Sequence, residues 1–460
     1  MKNKEITGQS IENLFPTEPI DRLMAPIQRF LRVETTSGIF LIFATLCALV
    51  WANFGRDTYT DFWSFPIGFS LGDWEMLHPL HWWVNDALMT LFFFMVGLEV
   101  KGEIVHGELR DIRAASLPII AALGGMLFPA AVYMLLCPEG ADRGWGIPMA
   151  TDIAFVVGCM TLFGNRIPRG LHVLILTLAI ADDIGSIVVV ALGYSGEINW
   201  FGLLVAIALL ALTWLSFRAG LRSLVFHGVL AVVIWYAFVM SGVHAALAGV
   251  ALGFLTPVKP WLCQGKLDVV TVKIGNFLSG GPKLKSEEKY DLCRTLLKTS
   301  KESISLQERF VYKMHPWVSY LIMPLFALAN AGVLVEWESF SGVTVSIAAG
   351  LIIGKPIGIF VFSVIAIKVG ISKLPTGVSW RLLLGGGMLA GIGFTMSLFV
   401  SELAFGGLST TLASAKIGIL SGSLISAILG MVFIYFFTRK KESALENEST
   451  VAEIGKLFDP

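Results

Sequence analysis

Charge is scarce in this chain. Asp, Glu, Lys and Arg make up 15% of its 460 residues, against 55% apolar residues. Soluble domains carry about 25% charged residues, so a water-facing surface all round is excluded and a membrane protein of many spans is indicated. Cysteine is scarce too. Cys47, Cys137, Cys159, Cys263 and Cys293 contain no C-x-x-C pair and no metal-ligand spacing. That argues against a thiolate metal centre, and the thiols are expected to be free. No cleavable leader is expected: the polar N-terminal segment, 1–37, precedes a first span that serves as its own insertion signal. The formal net charge is zero, so the total gives no reason to expect a nucleic-acid partner.

What is abundant is long apolar runs. Twelve are expected to span the bilayer, at 38–54, 79–100, 114–136, 145–164, 171–194, 200–217, 224–240, 242–256, 316–335, 343–368, 381–402 and 412–437. About 20 residues cross about 30 Å of hydrocarbon, so the segment at 242–256 is short. Basic residues set the orientation. Arg110 and Arg113 follow span two, Arg166 and Arg169 span four, Arg218 and Arg222 span six. Eleven Lys and Arg lie in the loop 257–315, Lys373 lies between spans ten and eleven, and Arg439, Lys440 and Lys441 follow span twelve. The alternate loops hold only Arg56 and Arg143. Both termini are therefore expected in the cytoplasm. The expected layout is an all-α twelve-span domain over 38–437, with an external loop at 55–78, a cytoplasmic loop at 257–315 and a disordered polar tail at 438–460. The string around Leu71-Gly72-Asp73 is expected to form a β-hairpin, and the 257–315 loop to be part helical.

Two spans look interrupted. Span four reads GWGIPMATDIAFVVG, with Gly146 and Pro148 just before Thr151 and Asp152. Span eleven reads LLLGGGMLAGIGFTMSLF, with Gly391 and Gly393 after a glycine triplet and before Thr395 and Ser397. Close helix packing through small residues is one reading of such glycines. The other is a pair of discontinuous helices at matching places in two inverted repeats, spans three to five and ten to twelve. Such pairs mark binding sites in transporters. Unwound backbone is tolerated there because it lines a cavity. The facing half-helix ends would then need compensating charge, which Asp152 and Lys355 could supply.

The sharpest feature sits in span five, LHVLILTLAIADDIGSIVVVALGY. Asp182 and Asp183 lie mid-span, where one charge costs about 2.5–3.5 kcal/mol on insertion scales and two oppose each other's ionisation. Neighbours on a helix point about 100° apart, so one aspartate can face a cation cavity while the other faces a helix. Lys355, midway along span ten and followed by Pro356, is expected to pair with one of them. A purely structural ion pair would account for one aspartate and leave the second unexplained. Carboxylate oxygens, the Thr151 hydroxyl and freed carbonyls suit a small hard cation, and the same carboxylates accept protons. An intramembrane aspartyl protease also needs two buried aspartates, but from two helices and with a G-x-G-D motif that is absent here.

The strings FFFMVGLEVKGE (92–103), PMATDIAF (148–155), LAIADDIGSI (178–187), SGVHAALAGV (241–250), HPWVSYLIMPLFALANAGV (315–333), IGKPIGIF (353–360) and GIGFTMSLF (391–399) together resemble the NhaA-type Na⁺/H⁺ antiporter family. The resemblance covers nearly the whole chain. It implies a multi-pass bacterial inner-membrane homodimer that exchanges Na⁺, and Li⁺, for H⁺ under pH control, without a cofactor or enzymatic activity. It implies that Asp183 is the principal cation ligand, and that Asp182 pairs with Lys355 in one conformation. Thr151 and Asp152 would stand at the crossing of broken helices. Glu99 and Glu103 would belong to a cytoplasmic pH-responsive cluster, although a carboxylate wetted at a helix end reads equally well. His244 is a candidate sensor or a packing histidine. Asn330 is expected to bond between helices. Some members of the family carry an acidic residue and a histidine where Val311 and Tyr312 stand here; Glu308 is nearby but out of register. A transporter of the same fold that couples a cation to an organic anion is the alternative.

Overall fold

The computed structural model describes residues 34–260 and 286–457, apart from 73, 222, 336–339 and 407–408. Residues 1–33 of the N-terminal segment, 261–285 of the basic loop and 458–460 of the tail lie outside the described residues.

The described chain is helical, with one hairpin. It begins with α1 (Glu34–Phe54), α2 (Arg56–Ser64) and strands β1 (Pro66–Leu71) and β2 (Trp74–Pro79). The strands pair antiparallel from Pro66 opposite Pro79 to Leu71 opposite Trp74. Gly72 turns the chain at φ +63, a region open to glycine without steric cost. The hairpin is thus where the alternation placed it, but α2 just ahead of it was not expected. Next come α3 (Leu80–Trp83), a π-helical turn at Val84–Leu88, α4 (Met89–Val105) and α5 (Ile112–Leu136). A 3₁₀ segment, Asp142–Met149, precedes α6 (Ile153–Thr161), α7 (Arg169–Gly193), α8 (Trp200–Arg218), α9 (Leu224–Ser241) and α10 (Ala246–Leu255). The rest comprises α11 (Ser286–Ser303), α12 (Leu306–Trp317), α13 (Met323–Asn330), α14 (Gly342–Ala349), α15 (Lys355–Lys368), α16 (Trp380–Ala390), α17 (Phe394–Phe405) and α18 (Ser409–Leu457). Side-chain caps set several starts: Asp111 for α5, Asn199 for α8, Ser223 for α9 and Ser379 for α16.

Seven helical stretches among the described residues are long and apolar enough to cross a membrane, and the bent pair α16–α17 makes an eighth. The chain is therefore a multi-pass membrane protein. Twelve crossings were expected. The others fall short for local reasons. α10 has ten residues, about 15 Å at 1.5 Å per residue. Span two is divided by a π turn, and span four by an extended stretch. Span nine is divided by a second π turn, Val318–Ile322, and its helix starts ahead of the apolar run, at Leu306, where Ser305 and Glu308 form a capping box. α18 runs on to Leu457, so residues 438–457, expected to be disordered, continue a helix; their Lys, Glu and Ala residues are strong helix formers.

Close packing fixes the helices around the charged centre. A Cβ added at Gly124 of α5 would come within 2.3 Å of the Gly358 carbonyl of α15. Only glycine allows that approach, and it seats α15 against the bundle. α7 is buried on the face carrying Leu174, Leu178 and Asp182.

Candidate cation-binding site

The site forms where two chain breaks meet. Pro148 has no N–H to give and closes the 3₁₀ segment, after which Ala150 (ψ 150) and Asp152 (φ −92, ψ 100) are extended. The second break is Gly391–Ile392–Gly393, where α16 and α17 meet at a 47° bend. Neither glycine has positive φ. A Cβ at Gly391 would come 2.5 Å from the Leu351 carbonyl, so close approach, not backbone freedom, requires glycine there. The two breaks are joined directly: the Asp152 N–H donates to the Ile392 carbonyl at 2.7 Å.

Side chains fill the valences that the breaks leave open. Asp152 is fully buried. Its Oδ1 accepts from the Phe155 N–H, capping α6. Its Oδ2 accepts from the Thr395 N–H at 3.1 Å and the Thr395 hydroxyl at 2.5 Å, capping α17. One carboxylate thus faces two helix N-termini, each bearing about half a positive charge. At the opposite polarity, the Lys355 ammonium donates to the Met149 carbonyl at the end of the 3₁₀ segment. Thr151 Oγ1 lies 2.6 Å from Asp182 Oδ2 and 3.1 Å from the Ala390 carbonyl, the C-terminal end of α16.

The two aspartates have different surroundings. Asp182 Oδ2 is 2.8 Å from Lys355 Nζ, with both side chains fully buried. Lys355 is carried there by a π turn, Gly350–Gly354, just ahead of Pro356. The irregularity lies ahead of Pro356, because proline's missing N–H frees a carbonyl in the preceding turn. Asp183 is buried and makes no side-chain hydrogen bond or ion pair among the described residues. Its Oδ1, like Asp182 Oδ1, is buried without a partner. Buried polar atoms are almost always satisfied, so these two oxygens on adjacent residues are candidates for holding a ligand.

Asp183 opens onto a cavity of about 450 Å³ whose polar lining includes Glu99, Glu103, Thr151, Asp152 and Thr395. Glu99 and Glu103 stand one turn apart on α4. Glu103 also accepts from the Glu108 N–H at 3.0 Å.

Other predicted residues lie elsewhere. His244 is not on this cavity: its Nδ1 accepts from the Ala246 N–H at 3.2 Å and its ring stands edge-on to Phe399. Glu308 is occupied by the capping box, Val311 lines the cavity, and Tyr312 is exposed. Asn330 bonds between helices, donating to Asn85 Oδ1 at 2.7 Å. Sequence reasoning left Thr395, His172 and His315 out of the site. Thr395 had a signal, since it directly follows the glycine break; the histidines had none, because their approach to the cavity depends on helix rotation.

The Na⁺/H⁺ antiporter 1 family matches residues 28–434. The chain is 45% identical over 423 residues to the Na⁺/H⁺ antiporter NhaA of Rhodopirellula baltica, covering 90% of this chain and 95% of that protein. It is 43% identical over 436 residues to the Na⁺/H⁺ antiporter NhaA of Rhizobium meliloti, covering 92% and 97%. It is 42% identical to the Na⁺/H⁺ antiporter NhaA 2 of Vibrio vulnificus, covering 93% and 96%. With a match of this length and identity, the chain belongs to the Na⁺/H⁺ antiporter 1 family.

Proposed function

We propose that the chain is a secondary transporter, not an enzyme, that exports Na⁺ in exchange for incoming H⁺, with Li⁺ as a second cargo. The observation that carries the reading is Asp183: a buried carboxylate with no protein partner, facing a cavity, beside an aspartate already held by Lys355 and Thr151. Asp183 and the free oxygen of Asp182 supply hard ligands for Na⁺, and freed backbone carbonyls at the breaks supply more. The same oxygens take H⁺. A site that changes sides only when occupied by one or the other yields exchange. Lys355 keeps the second carboxylate compensated in the absence of cargo, and Asp152 and Lys355 hold the half-helix ends whatever the cargo. No cofactor enters the cycle.

In this reading the chain crosses the inner membrane twelve times with both termini in the cytoplasm. Spans three to five and ten to twelve form inverted repeats, and spans four and eleven are the discontinuous members. The extended stretch at Ala150–Asp152, the bend at Gly391–Gly393 and the bond between them support it. Glu99 and Glu103 on the cavity wall tune the exchange with pH. Two copies pair through the exposed hairpin β1–β2. The organic-anion alternative is disfavoured by the cavity itself: Asp183, Asp152, Glu99 and Glu103 all line it and repel an anion. The test is Na⁺-evoked proton release in everted membrane vesicles, followed with a pH-gradient dye. Wild type is expected to dissipate the gradient on adding Na⁺ or Li⁺; no response to either cation would remove the proposal.

A further inference from the structure

A second polar site lies away from the aspartates, at the ends of α5 and α7 and the α15–α16 connection. A cleft of about 930 Å³ there is lined by Arg113, Arg169, Lys373, Glu108 and Ser372. Three cations against one carboxylate leave a positive excess, and no ion pair involves any of the four among the described residues. Ser372 is 7% exposed and its hydroxyl, on the cleft wall, has no hydrogen-bond partner. α7 starts behind Pro168 with no side-chain cap, and its first residues, Arg169 and Gly170, line the same cleft. An uncapped helix N-terminus, forked guanidinium donors and an unused buried hydroxyl form a donor set for a phosphate group.

We propose that this cleft binds a phosphate-bearing anion, and that its source is the headgroup of an anionic phospholipid. The wall decides the source. Ile371, which lines the cleft beside Ser372, is 54% exposed; acyl carbons would lie there, and free phosphate would leave that apolar surface uncovered. Basic pockets between spans at a membrane face take such headgroups. The site bridges α5, α7 and the segment after α15, the helices that position Lys355 and both aspartates, so an occupied cleft holds them together. This inference is independent of the transported cation.

Full-length protein, purified in dodecyl maltoside and delipidated, is titrated with dioleoylphosphatidylglycerol, dioleoylphosphatidylcholine or sodium phosphate. Thermal unfolding is the readout, with native mass spectrometry counting retained lipid. Phosphatidylglycerol is expected to raise the melting temperature of wild type. Arg169→Gln with Lys373→Gln is expected to weaken its binding about tenfold while phosphatidylcholine binds both proteins alike. Ser372→Val removes the hydroxyl and fills the space without changing charge; it is expected to weaken phosphatidylglycerol binding as well, and it decides the matter if the double variant does not fold. Stabilisation by inorganic phosphate, lost in the variants and not matched by phosphatidylglycerol, would overturn the lipid source. Equal phosphatidylglycerol affinity in wild type and Ser372→Val, with no effect of phosphate, would overturn the site.

Discussion

Among the described residues, two lysine–carboxylate pairs are shielded from water, and they are built differently. Lys355 and Asp182 stand 2.8 Å apart, fully buried, between α15 and α7. Lys416 and Glu402 stand 2.7 Å apart between α18 and α17, each side chain about 10% exposed. Glu402 has a further neighbour in His81, 3.6 Å from the same oxygen, so its charge is answered from two sides. Asp182 has its own answer in Lys355, yet next to it sits Asp183 with none. The contrast is between an ion pair whose charges are all answered and one with a second carboxylate left over, and that leftover carboxylate is what the proposed transport site rests on.

The comparison is open to direct test. Asp183→Asn is isosteric and removes the unpaired charge. It is expected to lower Na⁺-evoked proton release by more than about 100-fold, in line with loss of a principal charged ligand, while the protein still inserts and folds. Full exchange by this variant would refute the assignment. Lys355→Ala strips Asp182 of its partner in a dry site. Breaking such a pair costs about 3–5 kcal/mol, so a markedly lower melting temperature and weakened exchange are expected. An unchanged melting point with unchanged transport would remove the ion-pair argument.

Asp152→Asn keeps an acceptor oxygen for only one of the two helix N-termini, turns an NH2 group towards the other, and loses the charge. At about 0.3–1 kcal/mol per helix end, exchange should weaken several-fold and persist. Competition adds a pH signature to the central pair only. Protons and Na⁺ occupy the same oxygens, so the Na⁺ concentration for half-maximal exchange should rise as pH falls, by up to about tenfold per unit where one proton competes; a pH-independent value would contradict a shared site. Glu402→Gln gives the smallest effect on exchange, expected within about twofold of wild type; because it leaves Lys416 buried without its partner, the melting temperature should fall much as for Lys355→Ala. Loss of exchange there would mean that the two pairs are not as different as their surroundings.

Much of the centre was legible in the sequence because the membrane makes polar residues conspicuous. Asp182, Asp183 and Lys355 stood out against apolar neighbours, and Pro148, Gly391 and Gly393 marked the interrupted helices. What was not legible depends on rotation and distance. Thr395 reaches Asp152 across 243 residues of sequence. Glu402 and Lys416, near the ends of spans eleven and twelve, were not singled out. His244, a candidate sensor or packing histidine by motif, accepts from the Ala246 N–H and packs against Phe399, away from the cavity. The start of α12 at Leu306 was missed because a capping box outweighed the apolar boundary.

The sequence by itself determined that the chain lives in a membrane, where its charges concentrate and which helices break. Hydropathy, proline and glycine act locally, and no distant partner is needed to read them. Tertiary structure alone decided which aspartate Lys355 takes, which one is left facing the cavity, and that one carboxylate caps two helices. Those outcomes depend on how α7, α15 and the two breaks are rotated against one another, to within the length of a hydrogen bond.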